Sequence, residues 1–328
     1  MKTTYLHALH LIRSFTNNLK TIFPIMIFTV LLSGCEEIIN FKGPETQKKL
    51  VLNAIIGCDE EIEQTLSLSK TAFLYSNENI EEVYYADIDV KLNGELFQWE
   101  QFRPGTSNPS FKVPGLKAGD KISVRAEVED IAPITAEDVF PKAPEIINIE
   151  TIKFLDELSQ SPCIRFLIKI KDDPAENNFY RLIMSRKVYQ ERPEWEPYEE
   201  IVYFNIDQDP AMSSLTSEGI QGEEENSSRI FSDDIFQGKE YTINVYLYSY
   251  YGKEKMEYTI ELQSLSRSLY LYMRTLEQCY NSDILHEPVK VYSNVKGGYG
   301  ILGLYNSTKK QFTMKLDPEP EYPWRNDY

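Results

Sequence analysis

The sequence predicts a mainly β protein: two β-sandwich-like domains of the immunoglobulin or fibronectin kind, with one C-terminal helix in the second. Three observations carry that reading. Apolar and polar residues alternate along short runs, turn residues separate the runs, and helical periodicity occurs once, near the C-terminal end. Period-two alternation sends one row of side chains into a core and the other into water, as a half-buried strand requires.

The elements follow in order. Leu50 to Ile56 is a mostly buried strand, and Leu66 and Leu68 alternate with Ser67 and Ser69 in the next. Ile88, Val90 and Leu92 alternate with Asp87, Asp89 and Lys91, then reach Asn93-Gly94, the pair favoured in a type I′ hairpin. The chain returns through Leu96, Phe97 and Trp99. After Gly119-Asp120, Ile122, Val124, Ala126 and Val128 line one face of another strand, with Glu127 and Glu129 on its polar side. This first domain spans 50–140. Pro141-Lys142-Ala143-Pro144 reads as a stiff hinge, because proline cannot donate to a ladder.

The second domain spans 145–316. Ile164, Phe166, Ile168 and Ile170 alternate with Arg165, Leu167 and Lys169, and 179–184, 201–206, 241–248 and 258–262 are further strands. Leu265, Leu269, Tyr272, Met273, Leu276 and Tyr280 fall at helical spacing, which predicts a helix near 266–280 with Ser264 or Ser266 as its cap. Its stripe reads as a packing face. The acidic, proline-rich tail 317–328 has no periodicity and is expected to be extended or disordered.

Ahead of the body, Lys2, Arg13 and Lys20 precede an apolar run from Thr21 to Leu32, too short for a permanent membrane span. The run ends in Leu32-Ser33-Gly34-Cys35, a lipobox. Residues 1–34 therefore read as a lipoprotein signal peptide, Cys35 as the lipidated first residue, and 35–49 as a polar tether. The lipid is the expected membrane attachment.

Composition excludes some functions. The formal net charge is −17, and loss of a basic leader makes the body more acidic still, so it repels nucleic acid. Of three histidines, His7 and His10 lie in the leader, which leaves His286. One histidine without a serine elbow builds no catalytic triad, and multi-histidine zinc sites are excluded. No catalytic residue, metal ligand set or cofactor is assigned. Cys58, Cys163 and Cys279 allow at most one disulfide and read as small buried hydrophobes, with no pairing assigned.

Two acidic features bear on catalysis and metal binding. A glycosidase-like carboxylate pair requires about 5–10 Å between groups, which spacing along the chain does not define. Asp87/Asp89 and Glu127/Glu129 read as solvated strand faces. The run Asp172-Asp173-Pro174-Ala175-Glu176-Asn177-Asn178 gathers oxygen ligands but lacks EF-hand spacing, and reads as turn chemistry. Gly297-Gly298-Tyr299-Gly300 is not a phosphate loop; its glycines serve positive φ or close backbone approach.

Aromatics suit recognition best. Tyr246, Tyr248 and Tyr250 recur at period two, so one strand face presents three rings to a ligand or partner, or packs them against a second layer. Tyr84, Tyr85 and Trp99 supply further rings in the first domain.

In order and spacing, several segments resemble the Bacteroidetes lipoproteins of domain-of-unknown-function family 4249. They are the lipobox, Leu50 to Ile56 with Leu66 to Ser69, Asp173-Pro174-Ala175-Glu176 leading to Phe179-Tyr180-Arg181-Leu182, Phe231-Ser232-Asp233 with Gly238-Lys239, and Glu287-Pro288 through Gly300. Phe179 stands where the pattern expects a second tyrosine. The resemblance implies an outer-membrane lipoprotein, often encoded beside a TonB-dependent receptor, with no assigned reaction. It also implies that Glu36 and Glu37 form the acidic signal that sends such lipoproteins to the cell exterior. The resulting expectation is a non-enzymatic surface component of a TonB-dependent nutrient uptake system. The alternatives are a carbohydrate-active surface hydrolase using a carboxylate pair, and a structural or adhesive module.

Overall fold

The computed structural model describes residues 47–59, 64–72, 79–96, 110–113, 115–157, 161–189, 196–206, 209–213, 228–248, 255–280 and 289–315. The expected leader 1–34, Cys35, Glu36, Glu37, Trp99, Tyr250, His286 and the tail 317–328 lie outside the described residues, as does the expected tether up to residue 46.

The fold is mainly β, as the alternation predicts. Strand β1 (Leu50–Ile56) buries Leu50, Leu52, Ala54 and Ile56 and turns the residues between them outward. It pairs with antiparallel β2 (Gln64–Lys70), whose far edge is shared by two short strands, β3 (Glu81–Glu82) and β6 (Ser110–Phe111). A second sheet has the order β5 (Glu95–Leu96), β4 (Asp87–Leu92), β7 (Lys121–Val128) and β8 (Ile131–Val139). Asn93 and Gly94 take φ of 52° and 89°, as a type I′ turn between β4 and β5 requires. Leu52, Leu66, Leu68, Val90, Val124 and Ile134 from the two sheets share one apolar core.

A second sandwich closes on another core. One of its sheets has the order β13 (Asn205–Ile206), β15 (Glu240–Tyr248), β10 (Pro162–Lys171) and β9 (Glu145–Leu155). The other contains β11 (Phe179–Val188), flanked on one side by β16 (Lys255–Leu265) and on the other by β12 (Tyr198–Ile201) and β14 (Ser228–Ser232). Phe166, Ile168, Leu182, Met184, Val245 and Ile260 fill the space between them. Helix α1 (Pro210–Ser213) contributes Met212, and helix α2 (Arg267–Tyr280) packs by Leu269 and Tyr270. Met273 packs on the same cluster and the stripe stays half-buried through Leu276, while Tyr280 at its end is exposed.

The two sandwiches share a strand that the period-two reading did not contain. Strand β17 (Tyr299–Lys315) runs for 17 residues. Its first part lies parallel to β1, from Val51↔Tyr299 to Ile56↔Leu304, and its second part lies antiparallel to β16, from Leu265↔Tyr305 onward. Leu302 and Leu304 belong to the first core while Phe312 and Met314 pack on the second. One continuous sheet, β12-β11-β16-β17-β1-β2-β3, results. Strand β17 thus crosses from one sandwich into the other, past the proline segment at 141–144.

A buried carboxylate sits where β17 changes partner. Asp138 of β8 accepts a hydrogen bond from the Ser266 hydroxyl and another from Leu304 N–H at 3.1 Å. Ser266 also caps α2 by accepting from Leu269 N–H at 3.2 Å, and its own N–H donates to the Leu304 carbonyl. Burial raises the Asp138 pKa above its ordinary value, against the lowering from these hydrogen bonds. The folded state therefore binds that proton more tightly than the unfolded chain. Its contribution to stability is fullest below the ordinary aspartate pKa and declines as pH rises through the raised folded value. In urea unfolding of the wild type and Asp138→Asn across pH, the stability of the wild type relative to the variant is expected to fall over that window. A difference independent of pH would refute the assignment.

Candidate functional site

The tyrosine strand is the first candidate. Val245 and Leu247 of β15 are buried in the second core, so Tyr246 and Tyr248 point to the opposite side of that sheet. Tyr246 is only 8% exposed: it meets Phe154 of β9 edge-on at 5.7 Å and Tyr248 at 6.1 Å. The Arg165 guanidinium lies 4.7 Å from the Phe154 ring. Packing therefore occupies Tyr246, and Tyr248 is half-buried.

The acidic run 172–178 is a turn in which Asp172 and Asp173 are engaged within the chain, while Glu176 is exposed. Asp172 accepts the Tyr180 hydroxyl at 2.6 Å on one oxygen and Gly238 N–H at 2.6 Å on the other. Burial together with this carboxylate pushes the Tyr180 hydroxyl well above the usual tyrosine range. Asp173 bonds Lys142 at 2.8 Å and caps Ala175 N–H at 3.0 Å. Asp233 accepts Asn178 N–H at 2.8 Å, so two turns are stapled together. Among the described residues, no three His, Cys, Asp or Glu side chains are placed to hold a metal ion. Asp87, Asp89, Glu127 and Glu129 are exposed, and Glu127 pairs with Arg125 at 2.6 Å. Of the three described cysteines, Cys163 is buried, Cys58 half-buried and Cys279 exposed, which corrects the expectation that all three are buried.

The glycine segment is a threading device. Asn294 holds Leu302 from both sides, donating to its carbonyl at 2.8 Å and accepting its N–H at 3.0 Å. Lys296 exchanges two backbone hydrogen bonds with Thr135 of β8, at 2.8 and 3.1 Å. A Cβ at Gly298 would stand 2.2 Å from the Leu50 carbonyl oxygen, so the side-chain-free backbone lets β17 enter beside β1.

The geometry best suited to recognition lies at the β3 edge. Val83 is buried in the first core and its N–H donates to the Leu68 carbonyl at 2.9 Å. This anchor leaves the next two rings, Tyr84 and Tyr85, 45% and 70% exposed. They line a shallow cavity of about 290 Å³ with Lys70, Glu81, Glu82, Val83 and Val128. Lys70 contacts Glu81 at 2.5 Å and Lys48 reaches it at 3.4 Å, while the Tyr84 hydroxyl donates to Glu82 at 3.3 Å. The Lys70 hydrogen bond holds the Glu81 carboxyl below the usual range. Alternation alone does not mark this cleft. The signal was Tyr84-Tyr85 directly after an apolar residue, two adjacent rings that cannot both enter a strand core.

No described helix is long and apolar enough to cross a membrane. No curated protein matches the chain. The family described as Domain of unknown function (DUF4249) matches residues 36–311, which takes in both sandwiches and most of β17. The chain belongs to the DUF4249 family.

Proposed function

We propose that the chain is a lipid-anchored outer-membrane protein facing the cell exterior, acting as a non-enzymatic binding component of a TonB-dependent nutrient uptake system. The observation that carries this reading is the junction at residue 35. The family match begins at residue 36, directly after the lipobox Leu32-Ser33-Gly34-Cys35, so the shared body is what a lipidated Cys35 would tether. Glu36 and Glu37 supply the acidic pair expected of a surface-export signal. The buried carboxylates Asp172, Asp209 and Asp233 support binding over hydrolysis, because hydrogen bonds within the fold engage each of them.

Two measurements test it. Cys35→Ala is expected to abolish incorporation of labelled palmitate and to release the protein from the membrane fraction, since the lipid is the proposed anchor. Purification of the tagged protein in mild detergent is expected to recover a TonB-dependent receptor. Repeated recovery of the protein without any such receptor would overturn the uptake role, whatever the outcome for the anchor.

A further inference from the structure

We infer that the cleft at Tyr84 and Tyr85 binds a neutral sugar ring of a glycan, which deepens the binding role proposed above and rests on it. Three properties of the cleft lead to that class of ligand. The first is a pair of adjacent exposed rings on a fixed base. Val83 is locked into the first core and Ala86 packs against the same core, so Tyr84 and Tyr85 stand on a segment pinned at both ends. Exposed aromatic faces with a polar tip stack on the C–H face of a pyranose and leave the hydroxyls to other partners.

The second property is charge. Lys48 and Lys70 surround Glu81, and Glu82 accepts from the Tyr84 hydroxyl, so the ammonium and carboxylate groups balance locally. A balanced rim offers donors and acceptors to hydroxyl groups without favouring an ion. A nucleotide or an acidic sugar would instead meet Glu81, Glu82 and the −17 charge of the whole chain. The third property is size. A volume of about 290 Å³ suits one sugar unit and not an extended apolar ligand, and among the described residues Val83 and Val128 are the aliphatic ones in the lining. A shallow cleft of this size, lined by two rings and by charged side chains, fits a unit within a longer neutral chain that continues into solvent.

Isothermal titration calorimetry on the full-length protein in detergent tests this. The probes are neutral oligosaccharides (maltohexaose, cellohexaose, xylohexaose and mannohexaose) with oligogalacturonate as the acidic counterpart. At least one neutral probe is expected to bind, and oligogalacturonate is expected to bind more weakly. Tyr85→Ala is expected to weaken that binding by about tenfold or more, as loss of a stacking ring from a small site does. Tyr85→Phe, which keeps the ring, should stay near wild type. Tyr198→Ala, at an exposed ring in β12 of the other sandwich, should leave binding unchanged, and thermal melting should show all three variants folded. Failure of every neutral probe, equal binding of the acidic probe, or insensitivity to Tyr85→Ala would each overturn the inference. Receptor co-purification is read separately, so a failed sugar site and a failed uptake role are distinguishable.

Discussion

Gly300→Ala is expected to cost more than about 4 kcal/mol, enough to unfold a protein of ordinary stability. Gly300 pairs with Leu52 in the parallel ladder and takes a φ of 104°. A Cβ there would lie 1.9 Å from the Leu52 carbonyl oxygen and 2.8 Å from its carbonyl carbon. Neither neighbour is the end of a flexible side chain. Leu50, Leu52, Ala54 and Ile56 anchor β1 in the core, so β1 cannot give way, and β17 would have to lift off it. That movement would break the ladder and withdraw Leu302 and Leu304 from the first core. Gly94→Ala is the control. Gly94 also has positive φ, at 89°, but nothing stands within 4 Å of its added Cβ, so it should cost only the backbone term of about 1 kcal/mol. Urea unfolding followed by circular dichroism would measure both, and similar losses would refute the account of Gly300 as a close-approach glycine.

Asp209→Ala is expected to cost about 4 kcal/mol, through three hydrogen bonds lost at one fully buried carboxylate. One oxygen accepts Ala211 N–H at 3.0 Å and the Tyr241 hydroxyl at 2.7 Å, and the other accepts Asn244 N–H at 2.9 Å. Asp209 is thus the N-cap of α1, with Pro210 at the first helical position, and at the same time the rivet that fixes this turn to β15. Removing it strands buried donors with no acceptor, and the one-turn helix loses the contact that holds Met212 in the second core. Asp209→Asn keeps one acceptor oxygen and should lose roughly half as much. At Asp173, where the carboxylate is on the surface and pairs with Lys142, alanine should change stability by less than about 1 kcal/mol. Equal effects at 209 and 173 would show that burial does not decide the outcome.

Parts of the architecture were legible along the chain, and they share a physical basis. The apolar run Leu50 to Ile56 specified a strand, although its alternate burial emerged only in the fold, Asn93-Gly94 specified the hairpin, and the helical stripe after Ser264 and Ser266 specified a start for α2 that the structure caps with Ser266. Each depends on neighbours within a few residues, where backbone dihedrals and side-chain direction are set locally. Strand β8 was harder, because Pro133 interrupts a run that otherwise alternates.

Other features depended on residues far apart in sequence. Nothing local marks the point at Leu304 and Tyr305 where β17 exchanges β1 for β16, since both partners are chosen by which cores Leu302 and Phe312 can enter. Asp138 is an ordinary polar residue of an alternating strand until Ser266 and Leu304 come to it from more than a hundred residues away. The tyrosines show the same division. Period two placed Tyr246 and Tyr248 on one face, but Phe154 and Tyr248 decided that Tyr246 is covered, and Val83 decided that Tyr84 and Tyr85 are not. The sequence by itself determined the β class, the Asn93-Gly94 turn and the family resemblance. Tertiary structure alone decided which strands pair, which carboxylates are buried and which rings face solvent, because those outcomes are fixed by packing between segments whose separation along the chain carries no pairing signal.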